Sequence, residues 1–451
     1  MDILIVVLIF VGALLLCLIR DISLTWVLAV TFAALFCFGL HRKKTVKELW
    51  VMVRGELPGV WIVVRILCYV GLITGLWRSS GTIGIFIWYG MKLVPPRLFL
   101  LLAFLLAALL SYAIGTSFGV TSTAGIMLIA LARAGGVSVP VAAGAILSGV
   151  YFGDRGAPTS SCATLQAALT KTDHYTNVRH MLKTGALPLA LTLVIYTYLS
   201  FRNPMTVVDT QLLTALEESF NLSWLLFVPA AIMLVLPAVK VPLRICMGLS
   251  ALAAFLLTVL IQGVPVPSAV AIAFAGYAPG GVLESVLSGG GFFSMVGTML
   301  LLLFAGGCTG IIGGMELLKP AKDFIQRIGG RIGRFPTMIL ASVVSCMIFC
   351  NQTIAMIFCK ELMEDVYTPE EHQEFSADMS CSVVVLAGLV PWCIACSVPL
   401  SMLGAGFDAL PYACYLYLIP ICYFLTKRLF FPVTEKERKT GRNQREERPH
   451  L

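Results

Sequence analysis

The sequence predicts an all-α, polytopic membrane protein of about ten to twelve membrane segments. It is read as two inverted-topology repeats, each carrying broken or re-entrant helices. Three observations predict this. Hydrophobic residues make up 58% of the 451 positions, charged residues only 12%, and mean hydropathy is +0.90, far from the balance of a soluble globular chain. Apolar runs close to the ~20 residues that cross a hydrocarbon core recur at 3–19, 23–40, 57–77, 185–201, 224–239, 245–263, 293–314 and 411–430. Four further apolar regions, 98–134, 139–170, 336–360 and 379–402, are interrupted by clusters of Gly, Ser, Thr, Asn or Pro.

Taken in order, 3–19 reads as the first span rather than a leader, because it lacks a basic start and a small-residue cleavage site and a second apolar run follows at once. Segments 41–56, 78–97 and 317–335 mix charges with apolar positions, as helices lying in the membrane interface do. Placing both termini in the cytoplasm puts twenty-three Lys and Arg inside, among them Lys44, Lys183 and Lys322, and five outside, the bias expected of a membrane protein. The tail 432–451 is then a basic, disordered cytoplasmic segment near anionic lipid. The net charge of +8 sits between spans and in this tail, so it is no nucleic-acid footprint. The 14 Cys lie in apolar segments and read as packing residues. Cys393 and Cys396 alone do not make a zinc site, and no cofactor is expected. With every His in a loop or the tail, the sequence also argues against a membrane-embedded enzyme.

Weak internal similarity organises the chain. Thr74-Gly75 returns as Thr309-Gly310, and Gly115-Thr116-Ser117 lines up with Cys350-Asn351-Gln352, both 235 residues apart. Pro158 and Pro391, 233 apart, each sit inside a broken region. The expected division is a first repeat at 1–201, an extracytoplasmic linker at 202–222, a second repeat at 223–431 and the tail. Since the halves start on opposite sides, the repeats are inverted, and their broken elements should meet near the midplane, where secondary transporters hold substrate and coupling ions.

The stretch Ala143 to Gln166 cannot be one regular helix, because Pro158 removes a backbone donor and Gly156 weakens the helix beside it. Backbone groups freed at membrane depth must line a cavity or be buried in protein. Asp154, inside this stretch, is an ionisable residue at depth and so a functional candidate, with Arg155 as its nearest counter-charge; because adjacent helical residues diverge, a direct pair would require non-helical backbone. The hydroxyls of Thr116 and Ser117, between Gly115 and Gly119, are hard oxygen ligands suited to a dehydrated cation. Arg65 lies in the span 57–77, where it either meets a substrate carboxylate or snorkels to the interface.

Gly144-Ala-Ile-Leu-Ser-Gly-Val-Tyr-Phe-Gly-Asp154, Gly115-Thr-Ser-Phe-Gly119, Tyr175 to Leu182 and Leu389-Val-Pro-Trp392 resemble the NhaC family of sodium/proton antiporters, over residues 41–425. The resemblance implies an inverted-repeat secondary transporter of the cell membrane, driven by sodium or proton gradients. It also exposes departures. The family's Ser-Pro-Leu-Ser-Asp-Thr-Thr-Asn-Leu stands here as Ala157 to Leu165, so its second Asp falls on Ser161 and its Asn on Thr164. Its Ser-Asp-Gln falls on Cys350-Asn351-Gln352. Asp154 is retained, while two carboxylates are replaced by neutral groups.

The sequence therefore points to an alternating-access transporter of the Na⁺/H⁺ antiporter type, with an exchanger of a small organic anion or amino acid as the alternative. The expected ion or substrate site comprises Asp154, Thr116, Ser117, Ser160, Ser161, Thr164, Asn351, Gln352 and Thr353, with Asp154, Ser117 and Asn351 as sodium ligands. The expected partners are Na⁺ and H⁺ or a small solute, membrane lipid and a second copy of the chain.

Overall fold

The computed structural model describes residues 9, 12–13, 23–205, 210–239, 241–315 and 332–431. The placements expected for the span 3–19, for Lys322 and for the tail 432–451 lie outside these residues, apart from three positions of the first span.

The described chain is helical. α1 (Leu24–His41) and α2 (Val46–Ser79) are followed by α3 (Thr82–Leu93), α4 (Phe99–Ile114), α5 (Ser117–Ala134), α6 (Val139–Gly156), α7 (Ser161–Thr170), α8 (His174–Arg202) and α9 (Thr210–Ser219). The second half runs through α10 (Val228–Ala238), α11 (Leu243–Leu260), α12 (Val266–Ala275), α13 (Val296–Gly314), α14 (Arg334–Phe349), α15 (Gln352–Met363), α16 (Pro369–Leu389), α17 (Ile394–Leu403) and α18 (Cys414–Phe430). Among the described residues seven helices are long and apolar enough to cross a membrane, or nine if each bent pair counts as one span. This agrees with a polytopic membrane protein; the apolar helices α3, α12 and α14 are too short to enter that count, and the first expected span lies mostly outside the described residues.

One segment differs from its sequence reading. Residues 46–56 are not a separate interfacial helix but the first turns of the 34-residue α2, which starts at a capping box between Thr45 and Glu48 and runs unbroken past Pro58. Within the stretch 202–222, read from the sequence as a linker, Thr210–Ser219 forms α9, whose Leu212, Leu213 and Leu216 give it one buried apolar face.

All four irregular regions are broken where the small and polar residues cluster. α4 ends at Gly115 (φ 79°, ψ 20°), Thr116 is extended (φ −143°, ψ 127°), and α5 begins. The tip of the second hairpin has the same shape 235 residues later, with Cys350 (φ 53°, ψ 7°) and Asn351 (φ −137°, ψ 122°) between α14 and α15. Cys350 takes a left-handed conformation that its β-carbon disfavours, where the first half uses glycine. The other breaks match too. Ser160 (φ −69°, ψ 126°) and Cys393 (φ −72°, ψ 137°) each open a ten-residue helix, closed by left-handed Lys171 and Gly404. Within α5, Thr121–Gly125 winds as a π turn, because the hydroxyls of Thr121, Ser122 and Thr123 all donate to the carbonyls of Ser117, Gly119 or Val120.

Glycine sets how closely these elements meet. α4 and α6 run side by side in the same direction, with Gly149 against Phe104 to Ala108 and Gly153 against Ser111 and Tyr112. Ser111 Oγ donates to the Val150 carbonyl at 2.5 Å across the same contact. α2 and α13 cross as an antiparallel pair, with Gly310 on Met52 and Val53 and Gly306 on Val60. These contacts bring the end of α6 beside the tip of the first hairpin.

Candidate functional site

Asp154 stands in the last turn of α6, only 5% exposed. Its carboxylate faces the Ser117 backbone N–H, at the start of α5, and the Gln352 side-chain amide, at the start of α15, both near enough to act on its charge. Gln352 is itself fixed, because its Nε2 also donates to the Val384 carbonyl of α16 at 2.8 Å. The two helix starts are capped alike. Thr116 Oγ1 accepts from the Gly119 N–H at 2.8 Å, and Asn351 Oδ1 accepts from the N–H groups of Thr353 at 2.9 Å and Ile354 at 3.4 Å. Two helix N-termini, each carrying partial positive charge, thus approach one buried carboxylate from opposite halves of the chain.

Ser160 acts on this carboxylate through the backbone. Its Oγ donates to the Asp154 carbonyl at 2.5 Å and accepts from the Ala163 N–H at 3.2 Å, so it caps α7 and holds the end of α6 against it. The remaining candidates are spread out. Ser161, Thr164 and Thr353 are exposed, and Thr164 Oγ1 bonds back to the Ser160 carbonyl at 2.8 Å. The structure therefore bonds Ser160 to the backbone of Asp154, sets Ser117 and Gln352 near its carboxylate, flanks them with the caps Thr116 and Asn351, and leaves Ser161, Thr164 and Thr353 on exposed faces.

Arg155 does not serve as the counter-charge of Asp154. Both residues are helical, so Arg155 projects about 100° further round the helix axis. It is buried at 2% exposure and donates to the carbonyls of Ser380 at 3.1 Å and Met181 at 2.9 Å, to Thr184 Oγ1 at 2.8 Å and to Cys381 Sγ at 3.2 Å. All are neutral groups on α16 and α8, so the guanidinium clamps three elements together. Arg155→Met should cost about 1–3 kcal/mol for each carbonyl left bare. Arg155→Lys should recover only part, since an ammonium cannot span a planar fork. Thermal melting of detergent-purified protein by size-exclusion chromatography would check both. Arg65 is exposed on α2 and does not reach the site.

Two carboxylates escaped the sequence reading. Asp378 on α16 is fully buried and accepts from Tyr367 at 2.6 Å, Tyr423 at 2.8 Å and Lys427 at 2.6 Å, tying α16 to the last turn of α18. It sits one residue before the apolar region read as broken, and its Tyr and Lys partners, 11 to 49 positions away, carry no local signal. Glu56 on α2 lines a narrow crevice with Thr309 of α13 and with Cys350 and Asn351 at the tip of the second hairpin.

Helices broken at depth, with half-helix N-termini meeting on one buried carboxylate, define a secondary transporter. A sequence model of the Na⁺/H⁺ antiporter family matches residues 149–429, and the chain belongs to that family. The expectation drawn from the stretch ending at Asp154 is thereby borne out, and the chain is a multi-pass membrane transporter of the Na⁺/H⁺ antiporter type. It is similar to the malate-2H⁺/Na⁺-lactate antiporter of Bacillus subtilis, with 28% identity over 383 residues covering 82% of each chain. It is 24% identical over 372 residues, 80% of each chain, to the Na⁺/H⁺ antiporter NhaC of Alkalihalophilus pseudofirmus. It is 27% identical over 256 residues to the arginine/ornithine antiporter ArcD of Halobacterium salinarum, covering 55% of this chain and 53% of that one.

Proposed function

We propose that the chain exchanges Na⁺ for H⁺ at a single site built on Asp154. One observation carries the reading: Asp154 is the carboxylate at which the tips of both hairpins converge, held by Ser117 of one and Gln352 of the other. A carboxylate binds a cation when ionised and releases it on protonation, so the two ions exclude each other there. The Ser117 hydroxyl and the Asn351 side-chain oxygen add neutral oxygens for Na⁺, a hard cation. With the family's other acidic positions held by Ser161 and Asn351, the competition falls on Asp154. Alternating access follows from two repeats, inverted about the site, that each supply one hairpin and one broken helix. The near-identical backbone angles at Gly115–Thr116 and Cys350–Asn351 support that repeat.

In proteoliposomes loaded with a pH-sensitive dye, an imposed Na⁺ gradient should change internal pH without any added organic solute. No change under those conditions, with Na⁺ uptake appearing only when a solute is supplied, would contradict the reading.

A second reading, in which a small carboxylate is exchanged with the ions, has one observation in its favour. Arg78 and Arg133 lie close enough for their charges to interact, and neither forms an ion pair among the described residues. Arg78 donates to the Thr74 carbonyl at 2.7 Å while its buried Nε has no partner, and Arg133 donates to the carbonyls of Leu403 at 3.2 Å and Gly404 at 2.9 Å. Two guanidinium groups without an acid suit a carboxylate. Lactate- or malate-dependent Na⁺ uptake that is lost in Arg78→Gln would favour this second reading.

A further inference from the structure

Glu56 belongs to the face of α2 that packs inward. Met52, Glu56 and Val60 are spaced four residues apart, and Met52 and Val60 lie on Gly314 and Gly306 of α13. Its carboxylate has no hydrogen bond and no ion pair among the described residues. It opens onto a crevice between α13 and the tip of the second hairpin, whose wall includes Gly306, Thr309, Cys350, Asn351 and Ile394. Thr309 Oγ1 donates to the Phe349 carbonyl at 2.7 Å, which pins that tip to α13 directly beside Glu56. Asn351 lines the crevice on one side of the tip, and the next residue, Gln352, reaches Asp154 on the other. Glu56 and Asp154 therefore flank the same hairpin tip.

The surroundings of Glu56 are otherwise neutral. From α13 it faces Ala305, Gly306 and Thr309, and from the hairpin and α17 it faces apolar groups, Asn351 and Cys350, whose thiol is the one other titratable group lining the crevice. On its own helix Arg54 and Arg65 are exposed. A carboxylate without a partner, lining a crevice beside the hairpin tip, exchanges protons more readily than a buried ion pair does, because no cation holds it ionised. The position is also informative. Asn351 stands where the resemblance places an acid, and Glu56 brings a carboxylate into the same crevice from a different helix.

We propose that Glu56 is a second proton-carrying residue of this transporter, taking up and releasing a proton together with Asp154 during exchange. The proposal rests on the reading of Asp154 as the shared Na⁺ and H⁺ site. The step is a proton transfer alone, between the Glu56 carboxylate and water in the crevice, with no other bond made or broken.

The test counts protons against Na⁺. Purified transporter in weakly buffered detergent solution, with a pH indicator dye, receives NaCl, and the protons released are compared with ²²Na⁺ bound. Glu56→Gln should release one proton fewer per Na⁺ than the wild type and, because a proton expelled by Na⁺ must itself oppose Na⁺ binding, should lose about one power of ten per pH unit from the pH dependence of Na⁺ affinity, and in proteoliposomes the pH gradient that stops Na⁺ flux should shift accordingly. Equal release by Glu56→Gln and the wild type overturns the proposal and leaves Asp154 as the site. Wild-type protein that binds Na⁺ without releasing any proton overturns the Asp154 reading, and this proposal with it. If Glu56→Gln does not purify as a monodisperse protein, Glu56→Asp serves instead. It should keep the wild-type count with a displaced pH profile of exchange, and an unchanged profile counts against the proposal.

Discussion

Asp154→Asn is expected to abolish Na⁺-coupled flux while leaving a protein that inserts, purifies and melts like the wild type. The amide matches the carboxylate in volume and keeps an oxygen toward the Ser117 N–H and the Gln352 amide, so the packing around the two hairpin tips survives. What is lost is the anionic ligand. Removing one partner of a buried charge pair costs ~3 kcal/mol or more, or about two orders of magnitude in cation affinity, and the variant has no proton to exchange at that position. Flux of ²²Na⁺ into proteoliposomes, set beside a melting curve of the same preparation, separates this outcome from misfolding. Wild-type flux in Asp154→Asn would return Asp154 to a structural role.

Gly153→Ala is expected to do the opposite and prevent the site from forming. A β-carbon at Gly153 would lie 2.0 Å from the Ser111 carbonyl carbon and 2.3 Å from Ser111 O and Tyr112 N, all backbone atoms that no rotamer change can move. α4 and α6 would have to separate, at a cost above the usual ~1–3 kcal/mol of overpacking, and the Ser111 to Val150 hydrogen bond would go with them. Little folded protein should be recovered. Gly156→Ala, three residues on, is the control: its nearest neighbours would be Met181 Cβ and Leu182 Cδ2 at 3.9 Å, an ordinary contact, so it should melt as the wild type does. Fluorescence-detected size-exclusion chromatography of both variants checks the contrast, and equal recovery of the two would contradict the close packing of α4 on α6.

The positions of the breaks could be read directly from composition, because Pro, Gly and clustered hydroxyls act locally on the backbone. The pairing of Gly115 with Cys350 was likewise visible as an offset of 235, although the residues differ, since what the two halves share is a left-handed position followed by a cap. Which hydroxyl faces Asp154 was less accessible. Ser160 is the extended cap of α7 and turns its hydroxyl back to the Asp154 carbonyl, whereas Ser161 and Thr164 stand on the exposed side of the first turn of that helix. The helical rotation of about 100° per residue separates Arg155 from Asp154. Glu56 was hidden for a different reason: it sits at the edge of an apolar run, beside Pro58, where a helix end looked natural. Only the packing of α2 on α13 reveals that the helix continues and turns this residue toward Asn351.

Binding of ²²Na⁺ to the purified transporter, followed as a function of pH in the wild type and in Asp154→Asn, tests the shared Na⁺ and H⁺ site most directly. If Asp154 serves both ions, Na⁺ affinity falls on acidification, by about tenfold per pH unit for each carboxylate that must give up a proton, and Na⁺ binding is largely lost from the variant. Na⁺ binding that is indifferent to pH, or that persists with wild-type affinity in Asp154→Asn, would contradict a site built on Asp154.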